Sequence, residues 1–344
     1  DIVQGSQGPS SLPSMPSAGT PTAAPTPLIT PSPSFASSEA GLVDTPLNII
    51  GYHGNSGSAP HAIPRLSEVP CFYSTIILTF ATFDQDGTLR LESQGPYSAD
   101  IAALKGDIAA WKTQPDPYGR KRQVLVSIGG QNGNWPQELS AELVLSRILD
   151  FVAEFGVDGI DVDLEGSAVA GVSALASVLR RLVALGLTVS AAPEAAQAPL
   201  AAYGELVSIL SYIHPQFYNN PPNAVTSPFT PPIQSGNYAS PPPHWQDTTP
   251  DAFGLPNPET PWWVAVLDQT SNHFGLTPDK RGMLVPATVN AASSYNDWNM
   301  KLLSRQVRLA GVRNVGTWAL AYDRQAGWEF GRELAAIMDP EPRC

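Results

Sequence analysis

The sequence predicts an α/β protein, a (β/α)8 TIM barrel preceded by a disordered Pro/Ser/Thr-rich tail. Three observations predict it. From Leu47 onward, short apolar runs alternate with helical patterns over about 290 residues, giving eight strand-like runs. The polar oddities of those runs fall at their C-terminal ends: Tyr52, Gly129-Gly130, Glu165, Gln216 with Tyr218, and Trp318. Barrels of this class build their active sites there. No glycine-rich phosphate loop follows any strand. Ser127-Ile128-Gly129-Gly130 lacks the G-x-G-x-x-G spacing, which counts against a doubly wound open sheet.

Residues 1–46 are rich in Pro, Ser, Thr, Gly and Ala and contain no Lys or Arg. Such a segment buries too little apolar surface to offset its ordering entropy, so an extended, disordered tether is expected. Residues 47–344 form the barrel domain. Leu47–Tyr52 is the first strand and Ser74–Phe80 the second. A helix follows, with Ser98 as its expected N-cap and Ile101, Leu104, Ile108 and Trp111 at helical spacing. Val124–Ile128 is the third strand. The next helix runs from about Ala141 to Phe155 and stops at Gly156.

The fourth strand is Asp158-Gly159-Ile160-Asp161-Val162-Asp163-Leu164-Glu165. A helix over 170–185, a fifth strand over 187–191, a helix over 200–210 and a sixth strand over 212–217 come next. A long proline-dense interruption spans 219–261, and 262–272 reads as a helix. The seventh strand is Met283–Pro286, followed by a helix over 297–309. Val315–Leu320 is the eighth strand, and Gly327–Met338 closes the barrel as a helix.

Hydrophobic residues make up 42% of the 344, enough for a large core. A formal charge of -12 argues against nucleic acid and anionic membrane surfaces as partners. It suits action on a neutral or cationic substrate. No apolar run approaches the roughly 20 residues of a membrane span. The chain opens Asp1-Ile2-Val3-Gln4, without a basic start or an apolar h-region, as a mature, processed form or a trimmed chain would.

The fourth strand poses the chemical question. Side chains alternate along a strand, so Asp161, Asp163 and Glu165 share one face while Ile160, Val162 and Leu164 share the other. Successive carboxylates on one face, Cα atoms roughly 6–7 Å apart, repel each other and resist burial. Glu165 ends the strand at the barrel mouth, where burial and nearby negative charge raise a carboxyl pKa and suit a general acid. Asp161 and Asp163 are close enough for one to hold a proton and hydrogen-bond the other. A structural carboxylate cluster or a Mg²⁺ or Ca²⁺ site are the alternatives. The other strand ends offer Tyr, Gln, Trp and Gly but no second carboxylate. A glycosidase built this way would draw its nucleophile from an N-acetyl sugar's own acetamido oxygen.

The D-G-x-D-x-D-x-E pattern of 158–165 resembles the signature of glycoside hydrolase family 18, the chitinases. Val126-Ser127-Ile128-Gly129-Gly130 is similar to that family's S-x-G-G strand. Ala191-Ala192-Pro193 and Gln216-Phe217-Tyr218-Asn219-Asn220 resemble its plant class III, hevamine-like branch and bacterial relatives. The resemblance covers nearly all of 47–338 and implies roles. Glu165 is the implied proton donor, Asp163 the residue that orients the acetamido group, and Asp161 its buried partner. Tyr218 is implied to donate to the acetamido oxygen. Gln216 and Asn219 bond around the same sugar, and Tyr52 backs Asp163. Trp318 floors the cleavage subsite, with strand-core filling as the plainer reading. Trp135 and Gly130, past the third strand, are further candidates for sugar contact.

The resemblance implies an endo-acting, retaining, substrate-assisted chitinase. It would be secreted and monomeric, need no cofactor or metal, and act on chitin or chito-oligosaccharides. Two alternatives remain: an endo-β-N-acetylglucosaminidase acting on glycans or peptidoglycan, and a non-catalytic chitin lectin or inhibitor. No inserted α+β subdomain is evident near the seventh strand, which suggests an open groove. Segment 219–261 is longer than in the compact branch and could wall the cleft. The barrel places Cys71 and Cys344 on one face, so a disulfide between them is geometrically allowed. Two unrelated thiols are the other reading.

Overall fold

A computed structural model describes residues 46–54, 63–92, 95–133, 135–136, 138–219, 271, 274–293, 300, 303–304, 307 and 311–338. The expected tail, the 219–261 interruption beyond Asn219, most of the two helices expected at 262–272 and 297–309, and Cys344 lie outside these residues. Cys71 itself is disulfide-bonded.

Eight parallel strands form the barrel wall. They are β1 (Asn48–His53), β2 (Thr75–Phe83), β4 (Gln123–Gly130), β5 (Gly159–Leu164), β6 (Thr188–Ala191), β7 (Tyr212–Ile213), β8 (Gly282–Pro286) and β9 (Asn314–Trp318). Their order around the sheet is β7-β6-β5-β4-β2-β1-β9-β8. Parallel bridges Ile213–Arg281 and Gln216–Leu284 join the two ends and close the barrel. Closure leaves none of these eight wall strands as a free edge.

The sequence did not announce β3 (Leu89–Leu91), which pairs antiparallel with β2 as a hairpin. Its turn carries an Asp86-Gly87 signal, with Thr88 N–H donating to both Asp84 and Asp86. The expected sixth strand is cut short at Ile213. Pro215 has no N–H to give the ladder, and the chain rejoins the sheet at Gln216.

Helices α1 (Ile101–Thr113), α2 (Ala141–Phe155), α3 (Val172–Ala184) and α4 (Gln197–Tyr203) cover the first strands. The N-cap of α1 is Asp100, whose carboxylate accepts from Ala103 N–H at 2.9 Å. Ser98 instead donates to Gly95 O, so the expected cap is corrected by two residues. Ser140 caps α2, and Gly156 ends it in the left-handed conformation, as expected. The expected closing helix is α6 (Glu329–Met338), and an unexpected short helix, α5 (Leu320–Gln325), precedes it because the eighth strand, expected to reach Leu320, stops at Trp318. Buried Asp323 accepts from Tyr73 hydroxyl and from Phe330 and Gly331 N–H, pinning the start of α6. A 3-10 turn over Gly166–Gly171 runs directly into α3, and together they are long and apolar enough to cross a membrane. The apolar stripe Val172, Leu175, Val178, Leu179 and Leu182 is buried against the barrel, as a core helix requires.

Two apolar clusters follow from strand alternation. Ile160, Val162, Leu164, Val124, Val126 and Ile128 face outward to the helices. Ile50, Tyr52, Ile77, Leu125, Tyr218, Leu284 and Trp318 fill the inside. The inward side chains of β5 therefore enter a space ringed by aromatic residues.

Candidate active site

Strand register assembles the deepest part of the site. Asp161 on β5 is level with Ser127 on β4 and Ser190 on β6. All three point inward. Ser127 Oγ donates to Asp161 Oδ2 at 2.8 Å, and Ser190 Oγ donates to Oδ1 at 2.7 Å. From across the barrel Tyr52 hydroxyl donates to Oδ2 at 2.9 Å. His214 Nε2 lies 2.7 Å from the Tyr52 hydroxyl and 3.4 Å from Asp161 Oδ1. Since Tyr52 gives its proton to Asp161, its oxygen accepts from His214 Nε2–H. Burial alone would raise the Asp161 carboxyl. The bond and charge interaction with His214, and the two serine hydroxyls, outweigh burial and hold it below the usual range. Asp161 is a buried, ionised anchor.

Asp163, one step nearer the mouth, is in the opposite state. Burial pushes its carboxyl well above the usual range, and the charges of Glu165, Asp161 and Glu194 add to that. Its carboxyl hydrogen-bonds Glu165. The expected sharing of a proton between Asp161 and Asp163 is therefore corrected. Asp161 already accepts from Ser127, Ser190 and Tyr52 with His214 beside it, and Asp163 pairs forward with Glu165. Tyr52 likewise backs Asp161 directly, not Asp163. Gln216 Nε2 spans the forward pair, 2.8 Å from Asp163 Oδ1 and 3.2 Å from Glu165 Oε1, and also reaches Ala192 O at 2.9 Å.

Glu165 is half-buried at the mouth. Burial raises its carboxyl, and the Glu194 charge raises it further, against the lowering effect of its bonds to Gln216 and Asp163. Glu194, just past β6, is a carboxylate that the sequence reading passed over. Its Oε2 accepts from Gly166 N–H at 3.0 Å. It stands on the strand beside Glu165, so it lies along the same wall.

Opposite the acids is an aromatic wall. Trp318 is 9% exposed and stacks on half-buried Phe80, centroids 5.5 Å apart and planes at 19°. Tyr52 meets Trp318 edge-on at 5.9 Å. Tyr218 belongs to the same inner cluster, and burial followed by the charges of Asp163, Glu165 and Asp161 keeps its phenol fully protonated. Two glycines make room. A Cβ on Gly129 (φ 128°) would stand 2.1 Å from Asp163 O, and one on Gly130 (φ 81°) 2.6 Å from the Phe80 ring. Gly130 thus shapes the wall from behind.

Asn219 is exposed, with φ 60°, and its Oδ1 accepts from Ser293 N–H and Oγ, tying the start of the long loop to the loop after β8. Trp135 is the residue that the structure does not bring to the site. It is 6% exposed, sits in the outer cluster and meets Phe83 edge-on at 5.6 Å. Its ring packs there against the wall of the β2 hairpin, apart from the inner cluster that holds Tyr52, Tyr218 and Trp318.

The residues missed were Ser127, Ser190, His214, Glu194 and Phe80. Ser190 and His214 were visible as polar side chains inside apolar runs, and Phe80 as an aromatic at a strand's C-terminal end. The three β5 carboxylates do not converge on one point. Among the described residues no group of three or more His, Cys, Asp or Glu is arranged to hold a metal ion.

The chain was compared with known proteins. The family model "Glycosyl hydrolases family 18" matches residues 48–302, more than half of the chain. Exochitinase 1 of Streptomyces olivaceoviridis is 31% identical over 135 residues, which are 37% of this chain and 22% of that protein. A chitinase of Enterococcus faecalis is 28% identical over 170 residues, 45% of this chain and 47% of the other. The match thus spans less than half the length of either curated relative. A family GH18 chitinase from Chromobacterium violaceum superimposes with a TM-score of 0.63 at 22% identity, covering 86% of this chain and 84% of that one, a likeness of fold. With the signature carboxylates in place on β5 and the family model spanning most of the barrel, this chain belongs to glycoside hydrolase family 18.

Proposed function

We propose that this protein is a chitinase. It cleaves β-1,4 bonds between N-acetylglucosamine units of chitin or chito-oligosaccharides, with retention, using the substrate's acetamido oxygen as nucleophile. The observation that carries the reading is the ladder of carboxyls running to the mouth: Asp163 hydrogen-bonds Glu165, Gln216 Nε2 spans both, and Asp161 is held beneath them by Ser127, Ser190 and Tyr52. In the resting site Asp163 holds the proton and Glu165 accepts it. An acetamido N–H arriving at Asp163 needs an acceptor there. The proton then passes along the existing hydrogen bond to Glu165, which becomes the acid.

Glu165 delivers that proton to the glycosidic oxygen as the C1–O bond breaks. The acetamido oxygen bonds to C1, forming an oxazolinium, and the Asp163 carboxylate stabilises its positive charge. The Tyr218 hydroxyl, kept protonated by its surroundings, donates to the acetamido oxygen. Water then attacks C1 from the side of the departed group and gives its proton to Glu165 as the bond from C1 to the acetamido oxygen breaks and restores the acetamido group, so configuration is retained. Glu194 supports the assisted route by its position. It shares a wall with Glu165, whereas a two-carboxylate retaining pair needs its nucleophile across the sugar, about 5 Å from the acid. The Phe80–Trp318 stack offers a flat apolar floor for a pyranose ring.

Endo action is the finer reading. Only residues 287–313 separate β8 from β9, too few to fold as an extra subdomain of even about 40 residues. The disulfide at Cys71 supports work outside the cell. Turnover of a chromogenic chitobioside, with Glu165→Gln lowering kcat at least 100-fold, is the expected result. Equal turnover of a cellobioside carrying 2-hydroxyls would sink the assisted mechanism. Tight chito-oligosaccharide binding without any turnover would make the protein a lectin instead.

A further inference from the structure

One acidic side chain at the mouth has no part in the steps above. Glu194 follows β6, and its backbone is bridged in parallel to Gln216, the residue whose amide spans Asp163 and Glu165. Gln216 N–H donates to Pro193 O at 2.8 Å, and Ala195 N–H donates to Gln216 O at 3.3 Å. The backbone of Glu194 is thus as fixed as the catalytic pair. Its side chain turns to the next strand and accepts from Gly166 N–H at 3.0 Å. Gly166 is the residue after Glu165 and opens the 3-10 turn, with φ 54°. A backbone N–H at such a turn is satisfied by any acceptor, and a neutral one would serve. A carboxylate there adds negative charge to a wall that already carries the three carboxyl groups of Asp161, Asp163 and Glu165.

We propose that Glu194 is a positioning residue for the catalytic acid: its side chain clamps the turn behind Glu165 and sets a carboxylate beside it. This inference rests on the reading of Glu165 as the acid. Like charge disfavours the ionised form of Glu165, so the protonated acid survives to higher pH. Direction agrees with the raised Glu165 and Asp163 carboxyls, in both of which the Glu194 charge takes part. The groups that face Glu165 are Asp163 on its own strand, Glu194 past β6, Tyr203 on α4 and Tyr218 past β7. Gln216 is the neutral donor among them. Among these, Glu194 is the one carboxylate from another strand.

Two variants separate clamp from charge. Glu194→Gln keeps an oxygen for Gly166 N–H and removes the charge, while Glu194→Ala removes both. On a chromogenic chitobioside, the basic limb of kcat/KM should move about one pH unit to the acid side in Glu194→Gln. In Glu194→Ala it should move likewise, with kcat about tenfold lower and KM little changed. A Glu194→Gln profile that superimposes on the parent overturns the proposal. A second readout needs no turnover: carboxyl ¹³C NMR titration, with the Glu165 resonance assigned by its loss in Glu165→Gln. The Glu165 titration in the unaltered protein should lie about one pH unit above that in Glu194→Gln. Superimposable Glu165 titrations in the two overturn the proposal. Absence of hydrolysis in the unaltered protein, with that difference present, would instead count against the chitinase reading.

Discussion

The carboxyl of Asp163 hydrogen-bonds forward to Glu165, just past the end of β5, not back to Asp161, its neighbour on the same face of the strand. The cause is competition. Asp161 already receives Ser127, Ser190 and Tyr52 as donors, with His214 beside it. It has no need of a fourth proton and repels an ionised neighbour. Asp163 therefore keeps its proton and offers it where the chemistry takes place.

This pairing predicts a trade of stability against activity. The folded-state pKa of Asp163 lies above its unfolded value. Its contribution to stability is full below the unfolded pKa, about 3.9, and is lost as pH rises through the folded value. Asp163→Asn is permanently neutral and keeps an oxygen for Gln216 and a donor for Glu165. Its melting temperature should match the parent near pH 3 and exceed it by a few degrees at pH 8. Its kcat on chitobioside should fall about 100-fold or more. A lower melting temperature at pH 8 would contradict the buried-proton account.

Asp161 carries the opposite sign. Its folded pKa is depressed, so its stabilisation is present above the unfolded pKa and disappears as pH falls through the folded value. Asp161→Asn turns an amide donor toward groups that are themselves donors. Chemical denaturation at pH 7 should show a loss of about 3 kcal/mol, shrinking in acid. A loss independent of pH would show that packing, not charge, matters there.

Gly130 tests the aromatic floor from outside it. A Cβ there would come 2.6 Å from the Phe80 ring, at a backbone φ of 81°. Gly130→Ala should push Phe80 off Trp318, with KM for chitotetraose rising about tenfold and the tryptophan fluorescence shifting. Trp318→Ala should weaken binding at least as much. Unchanged oligosaccharide affinity in both variants would remove the stack from the substrate site.

Tyr218 has a buried phenol beside three carboxyls. Tyr218→Phe keeps the ring and removes the donor. Expected is a fall in kcat of about 10–100-fold with little change in KM or melting temperature. A change confined to KM would make Tyr218 a binding group only.

Much of the site was legible because its signals are local. Asp161, Asp163 and Glu165 are two residues apart, and strand alternation alone puts them on one face. Gly156, ending α2, was readable for the same reason. Ser190, His214 and Glu194 were not readable as site residues. Each is an ordinary polar side chain until a neighbouring strand brings it level with β5, and β6 and β7 are set by register, not by nearness in sequence. Trp135 erred the other way. An aromatic after Gly129-Gly130 suggests a cleft, but Phe83 on the β2 hairpin claims its ring.

By itself, then, the sequence determined the barrel rhythm, the acid-bearing strand and the order of its carboxylates from depth to mouth. Only the tertiary structure decided which carboxyl holds a proton. Protonation depends on the donors and charges that surround each group in space. For Asp161 those are supplied by β1, β4, β6 and the residues after β7, none of which is adjacent to it in the chain.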